Sequence, residues 1–139
     1  MMPAEIWVAT NNKDKYKEIK ELLREVPVEV HGAFELPHYT SPRENGLTFA
    51  ENARIKARSL KAMKPDAWVL ADDSGLEVIG LKNLPGVHSA RYAGPTARDI
   101  ENNAKLLKQL QIQIVTDRSA QFRCVMILME PTSGDQKES

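Results

Sequence analysis

Residues 69–76, Val-Leu-Ala-Asp-Asp-Ser-Gly-Leu, join an apolar run to an acidic one. Trp68, Val69, Leu70 and Ala71 form the kind of short apolar segment that a sheet buries on both faces. Asp72, Asp73, Ser74 and Gly75 are turn-forming residues in series. The pattern predicts a buried strand that stops in a turn at Asp72, with 77–79 returning as a second short strand. Two adjacent carboxylates at the C-terminal end of a buried strand repel one another and lose solvation. A divalent cation offsets both costs, and Asp oxygens suit Mg²⁺. The C-terminal ends of strands are also where open α/β sheets take up ligands. A solvated Asp-Ser-Gly turn accounts for the same residues, and this stretch alone does not choose between the two.

Upstream, residues 5–10 (Glu-Ile-Trp-Val-Ala-Thr) read as a first strand, broken by Asn11 and Asn12. A helix is predicted over 13–25, with Tyr16, Ile19, Leu22, Leu23 and Val26 on its apolar face. Thr10, Asn11 and Asn12 then occupy a strand-to-helix turn, and Lys13 and Lys15 the first helical turn. Exposed backbone N–H groups, the positive end of the helix dipole, amide and hydroxyl donors and lysine together outline an anion site. Helix capping by Asn11 or Asn12 with solvated lysines accounts for the turn equally, and for Lys13 and Lys17 that plain reading is preferred. Val26, Val28 and Val30 suggest an edge strand beside Pro27. An irregular loop over 32–45 carries Glu44 near its end. His31 and His38 have no zinc-like spacing and read as surface residues.

Thr48-Phe49-Ala50-Glu51 matches a capping box. The helix it opens runs to 63, burying Phe49, Ala53, Ala57, Leu60 and Met63, and Pro65 ends it. Residues 84–94 read as a loop in which Ser89, Arg91 and Tyr92 have the chemistry to meet a ligand, while loop packing around Tyr92 with a solvated Arg91 accounts for them equally. A helix over 96–110 buries Ile100, Ala104, Leu107 and Leu110. The run 122–129 is nearly all apolar and reads as a central strand, with Cys124 a small core residue. Residues 130–139 read as a turn or loose tail.

The 139 residues suffice for one domain with a real core. At 42% hydrophobic and 27% charged the composition is that of a soluble globular protein. Lys+Arg and Asp+Glu both number 19, so no excess charge points to a nucleic-acid polymer or a membrane surface. With Cys124 alone no intrachain disulfide forms. No run has membrane-spanning length and no signal peptide is read, so the cytoplasm is expected. The order strand, anion-type turn, helix, strand, acidic loop, capped helix, acidic strand, helix, strand predicts an α/β fold with a mixed central sheet flanked by helices. Thr10, Asn12, Lys15, Glu44 and Asp73 are expected at one end of that sheet, as a site for a phosphate chain and Mg²⁺.

Four segments carry a resemblance over the chain up to Met129. They are Ala9-Thr10-Asn11-Asn12-Lys13-Asp14-Lys15 with Glu18, and Glu44-Asn45-Gly46-Leu47-Thr48-Phe49-Ala50-Glu51-Asn52-Ala53 with Lys56-Ala57. The others are Ala71-Asp72-Asp73-Ser74-Gly75-Leu76 and Pro85-Gly86-Val87-His88-Ser89-Ala90-Arg91-Tyr92. In this order and spacing they resemble the inosine triphosphate pyrophosphatase family. The resemblance implies an ITPase-like fold, usually a homodimer, and Mg²⁺-dependent cleavage of ITP, dITP and XTP to the monophosphate and pyrophosphate. It implies that Thr10, Asn11, Asn12, Lys13, Asp14, Lys15 and Ser74 bind substrate. Glu44 and Asp73 would hold Mg²⁺, Asp73 would also be the catalytic base, and Asp72 a supporting acid. The family's later Gly-Phe-Gly-Tyr-Asp-Pro and Ser-His-Arg segments have no counterpart here. The expectation is therefore a single truncated domain over 1–139, with 122–129 left as an apolar edge. A catalytically inactive nucleotide-binding or dimerisation module is the alternative that follows.

Overall fold

A computed structural model describes residues 4–132. Its strands are β1 (Ala4–Val8), β2 (Val28–Gly32), β3 (Trp68–Val78), β4 (Leu84–Pro85) and β5 (Ala120–Met129); its helices are α1 (Lys13–Leu22), α2 (Phe49–Met63) and α3 (Asp99–Ile112). The strands hydrogen-bond in the order β2-β1-β3-β4, with β5 also paired to β3. β1 runs parallel to β2 and β3, whereas β4 is antiparallel to β3. The expected α/β class with a mixed sheet and flanking helices is what the structure has. By contacts the chain divides into two units, one from 1–46, 50–72 and 126–139, the other from 47–49 and 73–125.

In the first unit Ala4 lies opposite Val28 and Ile6 opposite both Val30 and Trp68. β2 is the edge strand, as Pro27 implied. Trp7, Ala9, Ala33, Ala57, Leu60, Ala67, Val69 and Ala71 form one buried cluster. Burying a side chain such as Leu60 contributes about 1.5–3 kcal/mol. The alanines of α2 let the helix approach the sheet closely. The predicted stripe of α2 holds at Ala53, Ala57 and Leu60, but Met63 at its end is exposed. α1 stops three residues earlier than expected: its last bonds tighten to i→i−3, from the Leu23 N–H to the Lys20 carbonyl and from the Arg24 N–H to the Glu21 carbonyl. Ile19 is buried and Tyr16 half-buried, its hydroxyl donating to the Val30 carbonyl. Leu22, 80% exposed, and Val26 lie beyond the packed face, so both are lost from the predicted stripe.

The second unit is built on Val78, Leu81 and Leu110, with Leu76, Leu106 and Val115 packed against them. Its helix α3 buries a different face from the predicted one. Ile100 and Leu107 are exposed, as is Ala104, while Asn102 and Leu110 are buried and Leu106 half-buried. Asn102 decides the rotation. Its Oδ1 accepts the Ala93 N–H at 2.8 Å and its Nδ2 donates to the Ala90 carbonyl at 3.0 Å. Asn102 is thus a buried amide satisfied on both sides, and it shares the buried face of α3 with Leu106 and Leu110.

The larger correction concerns residues 72–75. They do not turn: β3 continues unbroken from Trp68 to Val78 and absorbs both short strands predicted there. Gly75 is present for close approach rather than for a bend. A Cβ there would fall well inside contact distance of the Gly86 carbonyl oxygen and 2.6 Å from Ser89 Oγ. Residues 84–94, expected as loop, hold β4 and a 3-10 helix, Gly86–Arg91. Gly86 itself needs a positive φ of 53°.

β5 also departs from the reading. Phe122 is 70% exposed, and Met126, Leu128 and Cys124 are exposed too, so Cys124 is not a core residue. Only the alternate residues Val125, Ile127 and Met129 are half-buried, and Ile127 and Met129 pack on the first unit's core. An all-apolar run does not distinguish a strand covered on two faces from one covered on a single face. In the second unit β5 is tied to β3 by Glu77, whose carboxylate accepts from Gln121 Nε2 at 2.8 Å and lies 3.2 Å from Arg123 Nε. Most of the predicted tail over 130–139 lies outside the described residues.

Candidate functional site

In the first unit the strand-to-helix turn is organised by its own side chains. Thr10 Oγ1 accepts the Asn12 N–H at 3.0 Å. Asn12 is the N-cap of α1, its Oδ1 accepting the N–H groups of Asp14 at 2.9 Å and Lys15 at 3.2 Å. Asn12 therefore spends its oxygen on the helix, the capping role open to Asn11 or Asn12 in the sequence. Asn11 points elsewhere, its Nδ2 donating to Ser41 Oγ. Lys13 reaches over the Phe34 ring, 5.7 Å from its centroid, and Asp14 is exposed.

Lys15 leaves the turn for β3. Its Nζ lies 2.9 Å from Asp72 Oδ2, in an ion pair whose side chains are 31% and 8% exposed. The cation placed against the unfavourable end of a helix dipole is thereby compensated by a buried carboxylate. Glu44 has a different partner: its Oε1 lies 3.3 Å from Lys56 Nζ on α2. One turn earlier on α2, Asn52 Oδ1 accepts the Gly46 N–H at 2.7 Å. Asn52 is fully buried, and among the described residues its Nδ2 finds no hydrogen-bond partner, a deficit worth about 1–3 kcal/mol.

In the second unit Asp73 is buried and Ser74 half-buried on β3. Because 72–75 is strand and not turn, successive side chains leave on opposite faces. Asp72 and Asp73 are thus not the side-by-side chelating pair that a turn would have made of them. Ser89, one of the polar residues able to meet a ligand, spends its hydroxyl on the backbone: its Oγ accepts the Leu76 N–H at 2.9 Å and donates to the Gly86 carbonyl at 2.7 Å. Tyr92 is covered by Lys105, whose Nζ sits 4.4 Å from the ring centroid and donates to the Tyr92 carbonyl at 2.7 Å.

The acids singled out for metal binding, Glu44 and Asp73, offer only carboxylate oxygen, which fits a hard divalent cation and not zinc. No group of three His, Cys, Asp or Glu residues suited to a metal is gathered among the described residues. The contributions of Asn52 and Asn102 were not read from the sequence. The available signal was an asparagine inside each helix, where its propensity is poor.

The class defined by these features is a mixed-sheet α/β protein in which an asparagine-capped, lysine-bearing helix start is tied to a buried acidic strand. Residues 6–139 match the Ham1 family, and the chain belongs to it. It is 48% identical over 132 residues to the dITP/XTP pyrophosphatase of Bdellovibrio bacteriovorus, covering 94% of this chain and 66% of that protein. It is 48% identical over 124 residues to the dITP/XTP pyrophosphatase of Desulforamulus reducens, covering 89% and 61%. The solved HAM1 protein of Coxiella burnetii superposes with a TM-score of 0.82 at 43% identity, over 92% of this chain and 64% of that one. The Staphylococcus aureus Ham1 protein gives 0.77 at 42% identity, over 91% and 64%. The chain thus spans a little under two-thirds of the length of these relatives.

Proposed function

We propose that the chain hydrolyses non-standard purine nucleoside triphosphates (ITP, dITP and XTP) to the monophosphate and pyrophosphate, with a divalent cation, Mg²⁺, as cofactor. The observation that carries this is the 2.9 Å contact between Lys15 and Asp72, which couples the anion-type turn to the acidic strand. The names of the relatives, dITP/XTP pyrophosphatases at 48% identity, support the substrate class.

In this reading the start of α1, with Thr10, Asn11, Asn12, Lys13, Asp14 and Lys15, receives the phosphate chain, where the helix dipole and the lysine ammonium groups favour an anion. Asp72 orients the Lys15 ammonium. Glu44 and Asp73 hold the cation, and Ser74 contacts substrate. A bound Mg²⁺ supplies neutralisation of phosphate charge and a more acidic attacking water. Asp73 would take up a proton from the attacking water as the water oxygen bonds to the α-phosphorus. The phosphorus–oxygen bond to the leaving group then breaks, and pyrophosphate departs with the electron pair. The same reading treats 1–139 as one catalytic domain, assembled as a homodimer in the cytoplasm. Among the described residues no helix is long and apolar enough to cross a membrane.

The test is pyrophosphate release from ITP, XTP, ATP and GTP by the purified chain, with Mg²⁺ and with EDTA. Cation-dependent release favouring ITP and XTP is expected. Absence of release from a folded sample that still binds nucleotide overturns the catalytic reading in favour of a binding module.

A further inference from the structure

α2 carries an asparagine at a position where packing and helix propensity both favour an apolar residue. Asn52 is fully buried, directly before Ala53 of the buried stripe. Its amide orientation is settled by chemistry, because only the oxygen can face the Gly46 N–H at 2.7 Å. The amide nitrogen is then enclosed, with no partner among the described residues. A half-satisfied buried amide and a poor helix former are both unfavourable, so stability does not account for the residue.

What Asn52 does is draw the main chain at Gly46 against the helix. A Cβ on Gly46 would fall 2.6 Å from Asn52 Oδ1 and 2.7 Å from Glu51 Cβ, so the fit admits no side chain there. Four residues along the same helix face, Lys56 meets Glu44 at 3.3 Å. The 44–46 segment is gripped at both ends. The two grips differ in kind: a cation competes with Lys56 for the Glu44 carboxylate, but it has no claim on the Gly46 N–H. The amide contact is the one that persists when Glu44 changes partner.

We infer that Asn52 is a positioning residue, whose side-chain oxygen, acting through Gly46, sets where Glu44 is presented to a divalent cation. This rests on the reading of Glu44 as a metal ligand. Outer contacts of this kind change metal affinity about 10- to 100-fold when removed.

The experiment is titration of the full chain with Mn²⁺, without nucleotide, following the free-ion signal by electron paramagnetic resonance, with thermal unfolding in parallel. Asn52→Leu removes the acceptor and the unpaired donor together. It is expected to weaken Mn²⁺ binding about tenfold or more while leaving the unfolding midpoint unchanged or raised. Asn52→Asp keeps both the shape and an acceptor for Gly46 and is expected to retain most of the wild-type affinity, so that loss in the apolar leucine variant with retention in the aspartate one assigns the effect to the acceptor. Asn52→Ala replaces the leucine variant if the latter does not fold. Wild-type affinity in the leucine or alanine variant, or equal loss in the aspartate variant, overturns the inference. Glu44→Gln separates the two readings. Unchanged Mn²⁺ affinity there removes Glu44 as a ligand, whereas weakened binding in Glu44→Gln with normal binding in Asn52→Leu rejects only the role of Asn52.

Discussion

Lys15 and Asp72, 57 residues apart in sequence, meet at 2.9 Å between the first turn of α1 and the middle of β3. A helix start that carries a lysine against its own dipole, and a strand that buries a carboxylate, are each unfavourable alone. Together they offset one another and leave the ammonium partly open to solvent.

Replacing Lys15 by methionine removes the ion pair from the buried Asp72 carboxylate. Loss of one partner from a fully buried pair costs about 3–5 kcal/mol. Lys15 is about a third exposed, so roughly 1–2 kcal/mol is expected by urea unfolding, with solvent screening the pair. Adding Asp72→Asn recovers part of the loss, a coupling that the double-mutant cycle measures. Triphosphate affinity falls in both the single and the double variant. An unaltered affinity confines Lys15 to a structural role.

Asp73→Asn preserves shape and removes a base. Turnover is expected to fall by about 10²–10⁴-fold, the usual contribution of general base catalysis. The far-ultraviolet circular dichroism stays that of the parent. Retained turnover takes Asp73 out of the mechanism.

Gly75→Ala introduces a methyl group against the Gly86 carbonyl and Ser89 Oγ. Overpacking of this kind costs about 1–3 kcal/mol, read as a lower unfolding midpoint. Ser89→Ala leaves the Leu76 N–H without its 2.9 Å acceptor and costs about 1–3 kcal/mol by the same measurement. If residues 72–75 were a solvated turn, neither change would matter.

Glu35 links stability to pH. Burial alone would raise its pKa, but the hydrogen bond from the Gly32 N–H at 2.7 Å and the His31 ring outweigh it and hold the carboxyl below its ordinary value. A depressed carboxyl contributes stability that is present above the unfolded pKa and lost as pH falls through the folded one. Glu35→Gln is therefore expected to unfold at a lower temperature than wild type at pH 7. The gap should close as the pH falls through the lowered folded-state pKa, below the ordinary glutamate range. A gap that persists into acid rules out ionisation as its source.

What was legible in the sequence was local. The Asn12 cap, the start of α2 directly after Thr48, the edge position of β2 and the helix-then-strand alternation all follow from a few neighbouring residues, and the structure has them. The motif residues of the candidate site were picked out as turn and strand-end chemistry in short segments, but the structure sets Asp72 to Gly75 inside a continuous strand. The helix faces were less so: α3 turned on Asn102, whose two backbone partners lie nine and twelve residues away.

Residue types and spacing by themselves determined the α/β class, the capped helix starts and the carboxylates and lysine available for phosphate and metal chemistry. Tertiary structure alone decided that Asp-Asp-Ser-Gly runs on as strand, that Lys15 answers Asp72 and Lys56 answers Glu44, and that β5 is covered on one face only. The reason is physical: turn propensity and apolar runs are weak local preferences of at most about 1 kcal/mol per residue. The packing of Gly75 under Gly86, the satisfaction of buried amides and the neutralisation of buried charge act between segments far apart in sequence, and they are larger.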